Sequence, residues 1–135
     1  MTLRSTLLAT LLAAALSLWL GGCGEGAEDV TPPRISILEA DVFATHCTFS
    51  SCHGSIAPRM GLSLVAPIHA AVVGVRSTEM PDRMRVVPGD PVASYLFEKI
   101  SSDHPSVGMR MPPGQPLPAD IIQAVRLWIA DGAEM

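Results

Sequence analysis

The segment Cys47-Thr48-Phe49-Ser50-Ser51-Cys52-His53 concentrates the chemistry of this 135-residue chain. Two thiols followed at once by an imidazole are the donor set of covalent haem attachment. The thiols add across the two vinyl groups, and the histidine is held at the iron as its proximal ligand. The usual spacing is C-x-x-C-H, whereas four residues separate these cysteines. That difference has a geometric cost. In the usual motif the first cysteine lies one helical turn before the histidine; Cys47 lies six residues before His53 and on a regular helix would point elsewhere. Attachment therefore requires a bulged, non-helical stretch at Thr48-Phe49-Ser50-Ser51. A disulfide is the rival use of the same thiols, since so small a loop can bring two Cα atoms within the required ~4.4–6.8 Å. Both uses are open at this level. A zinc site is disfavoured, because neighbours such as Cys52 and His53 are awkwardly placed to join one tetrahedron.

The beginning of the chain sets the compartment. Arg4 supplies a positive n-region, and the uncharged run of 14 residues from Leu7 to Leu20 is short for a bilayer span but suits a signal h-region. Leu20-Gly21-Gly22-Cys23 then resembles the bacterial lipobox, in which the cysteine is lipidated and becomes the new N-terminus. Residues 1–22 are read as a lipoprotein signal peptide and Cys23 as the anchor. With Cys23 used for lipid, the remaining two cysteines are the pair at 47 and 52, placed outside the cytoplasm where c-type haem is attached. The expected localisation is the bacterial cell envelope, with the domain tethered to a membrane. Residues 23–34, rich in Gly, Glu, Asp and Pro, read as a flexible tether without apolar periodicity.

Without the signal the chain has 113 residues with 8 basic and 13 acidic side chains, enough for one small domain and too acidic for a nucleic-acid partner. Its elements can be placed from periodicity. Ser36-Ile37-Leu38-Glu39 has the pattern of a capping box, opening a helix to about Thr45 with Ile35, Leu38, Val42 and Phe43 near one face. Asp90-Pro91 predicts a second start, with Val92, Tyr95, Leu96 and Ile100 as its stripe and an end near Ser101. A last helix is expected from Pro118–Asp120 to Ala130, stopped at Gly132, with Ile121, Ile122, Val125, Trp128 and Ile129 on its apolar face. Val72, Val73 and Val75 read as a short strand or irregular crossing broken at Gly74. The fold class is all-α, three main helices with long loops.

The order of these parts resembles a small class I cytochrome c domain over residues 35–133. Val87-Pro88-Gly89-Asp90-Pro91, Ser94-Tyr95-Leu96, Met111-Pro112-Pro113 and Trp128-Ile129-Ala130-Asp131-Gly132-Ala133 look like the cytochrome c-like domains of exported bacterial proteins. The resemblance implies one covalent haem c on Cys47 and Cys52, with His53 and Met111 as axial iron ligands and Met109 as the alternative to Met111. Bis-histidine ligation would instead draw on His46, His69 or His104. His46 is read as turned away from the iron, His69 as packing, and His104 as solvated. Arg83, Arg85 and Arg110 are candidates to pair with haem propionates.

The expected function is therefore that of a monohaem c-type cytochrome lipoprotein, passing single electrons between periplasmic or membrane-associated redox proteins. It would be a carrier, not an enzyme, since no carboxylate pair or nucleophile triad is visible. The alternative is a haem-free, disulfide-closed cytochrome c-like binding module on the envelope. A third reading is an electron-accepting subunit of an exported dehydrogenase or a haem enzyme with an open iron position.

Overall fold

Ile35, Leu38, Val42 and Phe43 fall three, four and one residues apart, the spacing that lays side chains on one helical face, and all four are buried. They belong to α1 of the computed structural model, which describes residues Thr31–Met135. The signal peptide, Cys23 and the tether up to Val30 lie outside the described residues. Helix α1 is three contiguous pieces: α-helical Ile35–Leu38, a π-helical turn over Glu39–Phe43, and α-helical Ala44–His46. The expected capping box does not form. The helix starts two residues earlier, on extended Arg34, so Ser36 sits inside the first turn. Glu39 reaches across the fold instead and accepts a 2.7 Å bond from the Ile68 amide.

Ile68 precedes α2 (His69–Val72), a single turn that takes only Val72 of the three valines expected in a strand or crossing, while Val73 and Val75 continue as irregular chain that turns at Gly74, φ 68°. The valines are too few to pair for any length: among the described residues only isolated bridges occur, such as Val73 with Val86. Helix α3 (Tyr95–Ser101) ends where expected but starts later than Asp90-Pro91 implied. Asp90 accepts from the Ala93 amide at 3.0 Å, and the fully buried Ser94 hydroxyl bonds the Val87 amide at 2.8 Å and the Asp90 carbonyl at 2.7 Å. These bonds make residues 90–94 a turn, and Val92, assigned to the apolar stripe, is 84% exposed.

Helix α4 (Ala119–Ala130) buries Val125, Trp128 and Ile129, with Ile121 and Ile122 half-buried. Gly132 stops it at φ 101°. The amides of Ala133 and Gly132 bond the Trp128 and Ile129 carbonyls at 2.9 and 3.1 Å, the paired bonds of a Schellman ending. Trp128 Nε1 donates to the Glu134 carbonyl at 2.8 Å, which fixes the indole in the core. The domain is all-α, with one core joining α1, α2, α3 and α4. No helix among the described residues is long and apolar enough to cross a membrane.

Candidate functional site

Helix α1 delivers the chain into Cys47, whose amide still makes a helical 2.9 Å bond to the Phe43 carbonyl. Regular structure then ends. The His53 amide bonds back to the Cys47 carbonyl at 3.0 Å, and the Cys52 amide to the Phe49 carbonyl at 2.8 Å. The longer cysteine spacing is thus absorbed by a closed loop in which Phe49 and Ser50 bulge outward and Cys47 is drawn back beside His53. Gly54 permits this closure. A Cβ there would sit 3.1 Å from the Thr48 carbonyl oxygen, a backbone atom that cannot rotate away.

Loop residues 59–64 pin the imidazole. The Arg59 amide bonds the Cys52 carbonyl at 2.8 Å, and the Leu64 amide bonds the His53 carbonyl at 2.8 Å. His53 Nδ1 lies 2.9 Å from the Leu62 carbonyl. A carbonyl can only accept, so this bond places the ring proton on Nδ1 and leaves the lone pair on Nε2, the nitrogen that could coordinate a metal. Such a partner fixes both tautomer and ring direction in metal-ligating histidines.

Cys47 and Cys52 are half-buried free thiols. Burial, reinforced by the neighbouring Cys52, pushes the Cys47 thiol up to about 11. Cys52 also lines a cleft of about 460 Å³, with Thr45, His46 and Phe49 on its side and Pro112, Pro113 and Leu117 among the residues opposite. Two segments some sixty positions apart therefore face one cavity, of a size within the ~300–1,000 Å³ common for small-molecule sites. Neither His53 nor Met111 is among its wall residues. His46, read as turned away, is. A second hollow of about 550 Å³ lies between α2 and the chain end, but it holds no thiol, and its histidine, His69, is engaged with the Ala133 carbonyl at 3.0 Å.

The two methionines of the later loop differ sharply. Met109 is 66% exposed, whereas Met111 is half-buried against the core and its amide bonds the Lys99 carbonyl at 2.7 Å. The arginines considered for propionates have protein partners: Arg83 with Glu98, Arg85 with the Ala71 carbonyl at 2.8 Å, and Arg110 with Asp103. His104 is exposed.

One group escaped the sequence reading. Lys99 is 7% exposed, with Nζ 3.1 Å from Glu79 Oε2 and 2.9 Å from the Val107 carbonyl. Tyr95 donates to the same Glu79 oxygen at 2.8 Å. Burial pushes the Glu79 carboxyl up, but bonds from Tyr95 and Lys99 and the charge of Lys99 outweigh it and hold that carboxyl below its ordinary range. Burial and the adjoining carboxylate raise Tyr95 to about 12, against the opposing pull of Arg83. A lysine at the edge of an apolar stripe reads as solvated, so only the separate position of Glu79 could have betrayed it.

Comparison of the chain with known protein families, curated proteins and solved structures finds no match.

Proposed function

We propose that this chain is a monohaem c-type cytochrome lipoprotein with a class I-like fold, carrying single electrons between redox proteins of the cell envelope. The observation that carries the reading is the bond from His53 Nδ1 to the Leu62 carbonyl, which prepares Nε2 to bind a metal. Three further features agree with it. The closed loop brings Cys47 back beside His53; Cys52 lines a cleft faced by Pro112 and Pro113, which follow Met111 in the chain; and Met111 is held against the core while Met109 is exposed.

In this reading Cys47 and Cys52 hold haem c covalently, and His53 and Met111 supply imidazole and thioether to its iron. When bound, the haem supplies reversible one-electron chemistry at a potential set by its axial ligands and burial. The chain's part is positional. Leu62 holds the imidazole in one tautomer, the proline-rich loop covers the cleft, and the core excludes water. Lipid on Cys23 would keep the domain at a membrane, outside the cytoplasm, within reach of redox partners.

The deciding experiment produces the full chain in a host that matures c-type cytochromes, then applies haem staining and intact mass after denaturation. Covalent haem survives denaturation, and Cys52→Ala or His53→Ala abolishes the stain. A wild-type protein lacking haem mass and lighter by two hydrogens has a Cys47–Cys52 disulfide. That result replaces the electron carrier with the binding module.

A further inference from the structure

We infer that Glu79, Tyr95, Glu98 and Lys99 form a polar clamp that fixes the Met111 thioether in place, making them positioning residues for the distal iron ligand. The inference rests on the haem reading proposed for this chain.

Residues 102–110, between α3 and Met111, contain no regular structure. Hydrophobic burial does little to hold them, since Val107 is 40% and Met109 66% exposed. Polar contacts take its place. Tyr95, Glu98 and Lys99 stand at i, i+3 and i+4, on one side of α3. The Glu98 carboxylate accepts from the Ser106 amide, and Lys99 Nζ donates to the Val107 carbonyl at 2.9 Å. Tyr95 Oη lies 3.5 Å from that same carbonyl. The Met111 amide then closes on the Lys99 carbonyl at 2.7 Å, so the chain is tied to α3 at the ligand position itself.

Glu79 locks the arrangement from outside the helix, because one of its oxygens meets both Lys99 Nζ at 3.1 Å and Tyr95 Oη at 2.8 Å. A lysine as buried as Lys99 is rare unless paired, and an apolar residue would fill its place without the desolvation cost. What the ion pair adds is direction. Its ammonium is aimed at one loop carbonyl by a fixed carboxylate. Gly108 lets the loop sit directly on the pair: its φ is +66°, and a Cβ would stand 3.1 Å from Glu79 Oε1 and 3.2 Å from Lys99 Nζ. A thioether is a neutral ligand, and its hold on a metal depends on being placed beforehand by its supporting residues.

The test uses the haem-loaded full chain and the variants Lys99→Met and Glu79→Gln. Four quantities are read: covalent haem after denaturation, the methionine-to-iron absorption band, the reduction potential, and amide exchange. Both variants should retain covalent haem, lose or shift the band, and show a lower potential. Amides of residues 106–111 should exchange about tenfold faster while those of α4 do not change. Lys99→Met strands the Glu79 carboxylate and can prevent folding; Glu79→Gln removes the negative charge that aims the ammonium at the loop carbonyl, leaves no carboxylate stranded, and then decides alone. Haem-loaded Glu79→Gln with the wild-type band, potential and exchange overturns the clamp. Absence of covalent haem from the wild type overturns the haem reading instead.

Discussion

Tyr95 is the one tyrosine of the chain, so its ionisation can be followed without interference from another phenol. It is 4% exposed, donates to Glu79 at 2.8 Å, and has Arg83 and Lys99 5.5 and 5.7 Å from its ring centre. Burial and the facing carboxylate both oppose a phenolate, which raises the group to about 12, against about 10 in the unfolded chain. Between those values the folded protein binds the extra proton. Stability from this group is therefore complete below about pH 10 and is lost as pH rises through about 12. Two pH units at ~1.4 kcal/mol each amount to about 3 kcal/mol, a large part of a typical ~5–15 kcal/mol domain. Tyr95→Phe isolates the effect, because other groups titrating in that range are common to both proteins. At neutral pH the wild type should be more stable by about 1.5–3 kcal/mol, the worth of a hydrogen bond to a charged acceptor. Urea titrations at successive pH values should show that advantage disappearing above pH 10, in step with the phenolate ultraviolet band. A folded-state phenolate midpoint near 10, or parallel losses in wild type and Tyr95→Phe, would refute the reasoning.

Met111→Ala should remove the methionine-to-iron band of the haem-loaded protein and lower its potential, while Met109→Ala leaves both nearly unchanged; the reverse pattern reassigns the ligand. In haem-free protein at pH 8, Cys47 should react with a thiol reagent about a hundredfold more slowly than an ordinary cysteine, as its rise from 9.0 to about 11 implies; labelling followed by peptide mass measures this. Trp128→Phe loses the 2.8 Å bond to Glu134 and part of the core volume, and should cost about 2 kcal/mol in a denaturant titration. Cys23→Ser should move the protein from the membrane to the soluble fraction, and retention after a high-salt wash would place the anchor elsewhere.

Apolar periodicity made the helices legible, because burial depends on which residues share a face. The buried set of α1 and the length and ending of α4 are direct consequences of Ile35, Leu38, Val42, Phe43, Trp128 and Gly132. Polar signals failed where a distant partner outbid a local one. Glu39 pairs with the Ile68 amide, twenty-nine residues away, and so makes no capping box. Ser94 turns its hydroxyl onto Val87 and Asp90, which delays α3 past the start that Asp90-Pro91 suggested. The candidate site shows the same division. Cys47, Cys52, His53 and Met111 stand out by residue type and order, whereas the Leu62 carbonyl and the Glu79–Lys99 pair depend on loop paths without periodicity.

The π-helical turn at Glu39–Phe43 lies immediately upstream of the cysteine loop. A widened turn of this kind holds one residue more than an α-turn, and such turns frequently occur at functional sites. Since each residue advances an α-helix by about 100°, winding the same residues regularly, with none removed, would swing everything after the turn by that angle. Ile35 and Leu38 would keep their seats, but Cys47 would leave the core and the whole cysteine-histidine loop would turn with it. The angular phase of the attachment segment is thus held by an irregularity in the helix before it. An insertion within residues 39–43 should therefore turn the cysteine-histidine loop away, whereas deleting one of them, which lets the turn wind regularly, should leave that loop near its present phase.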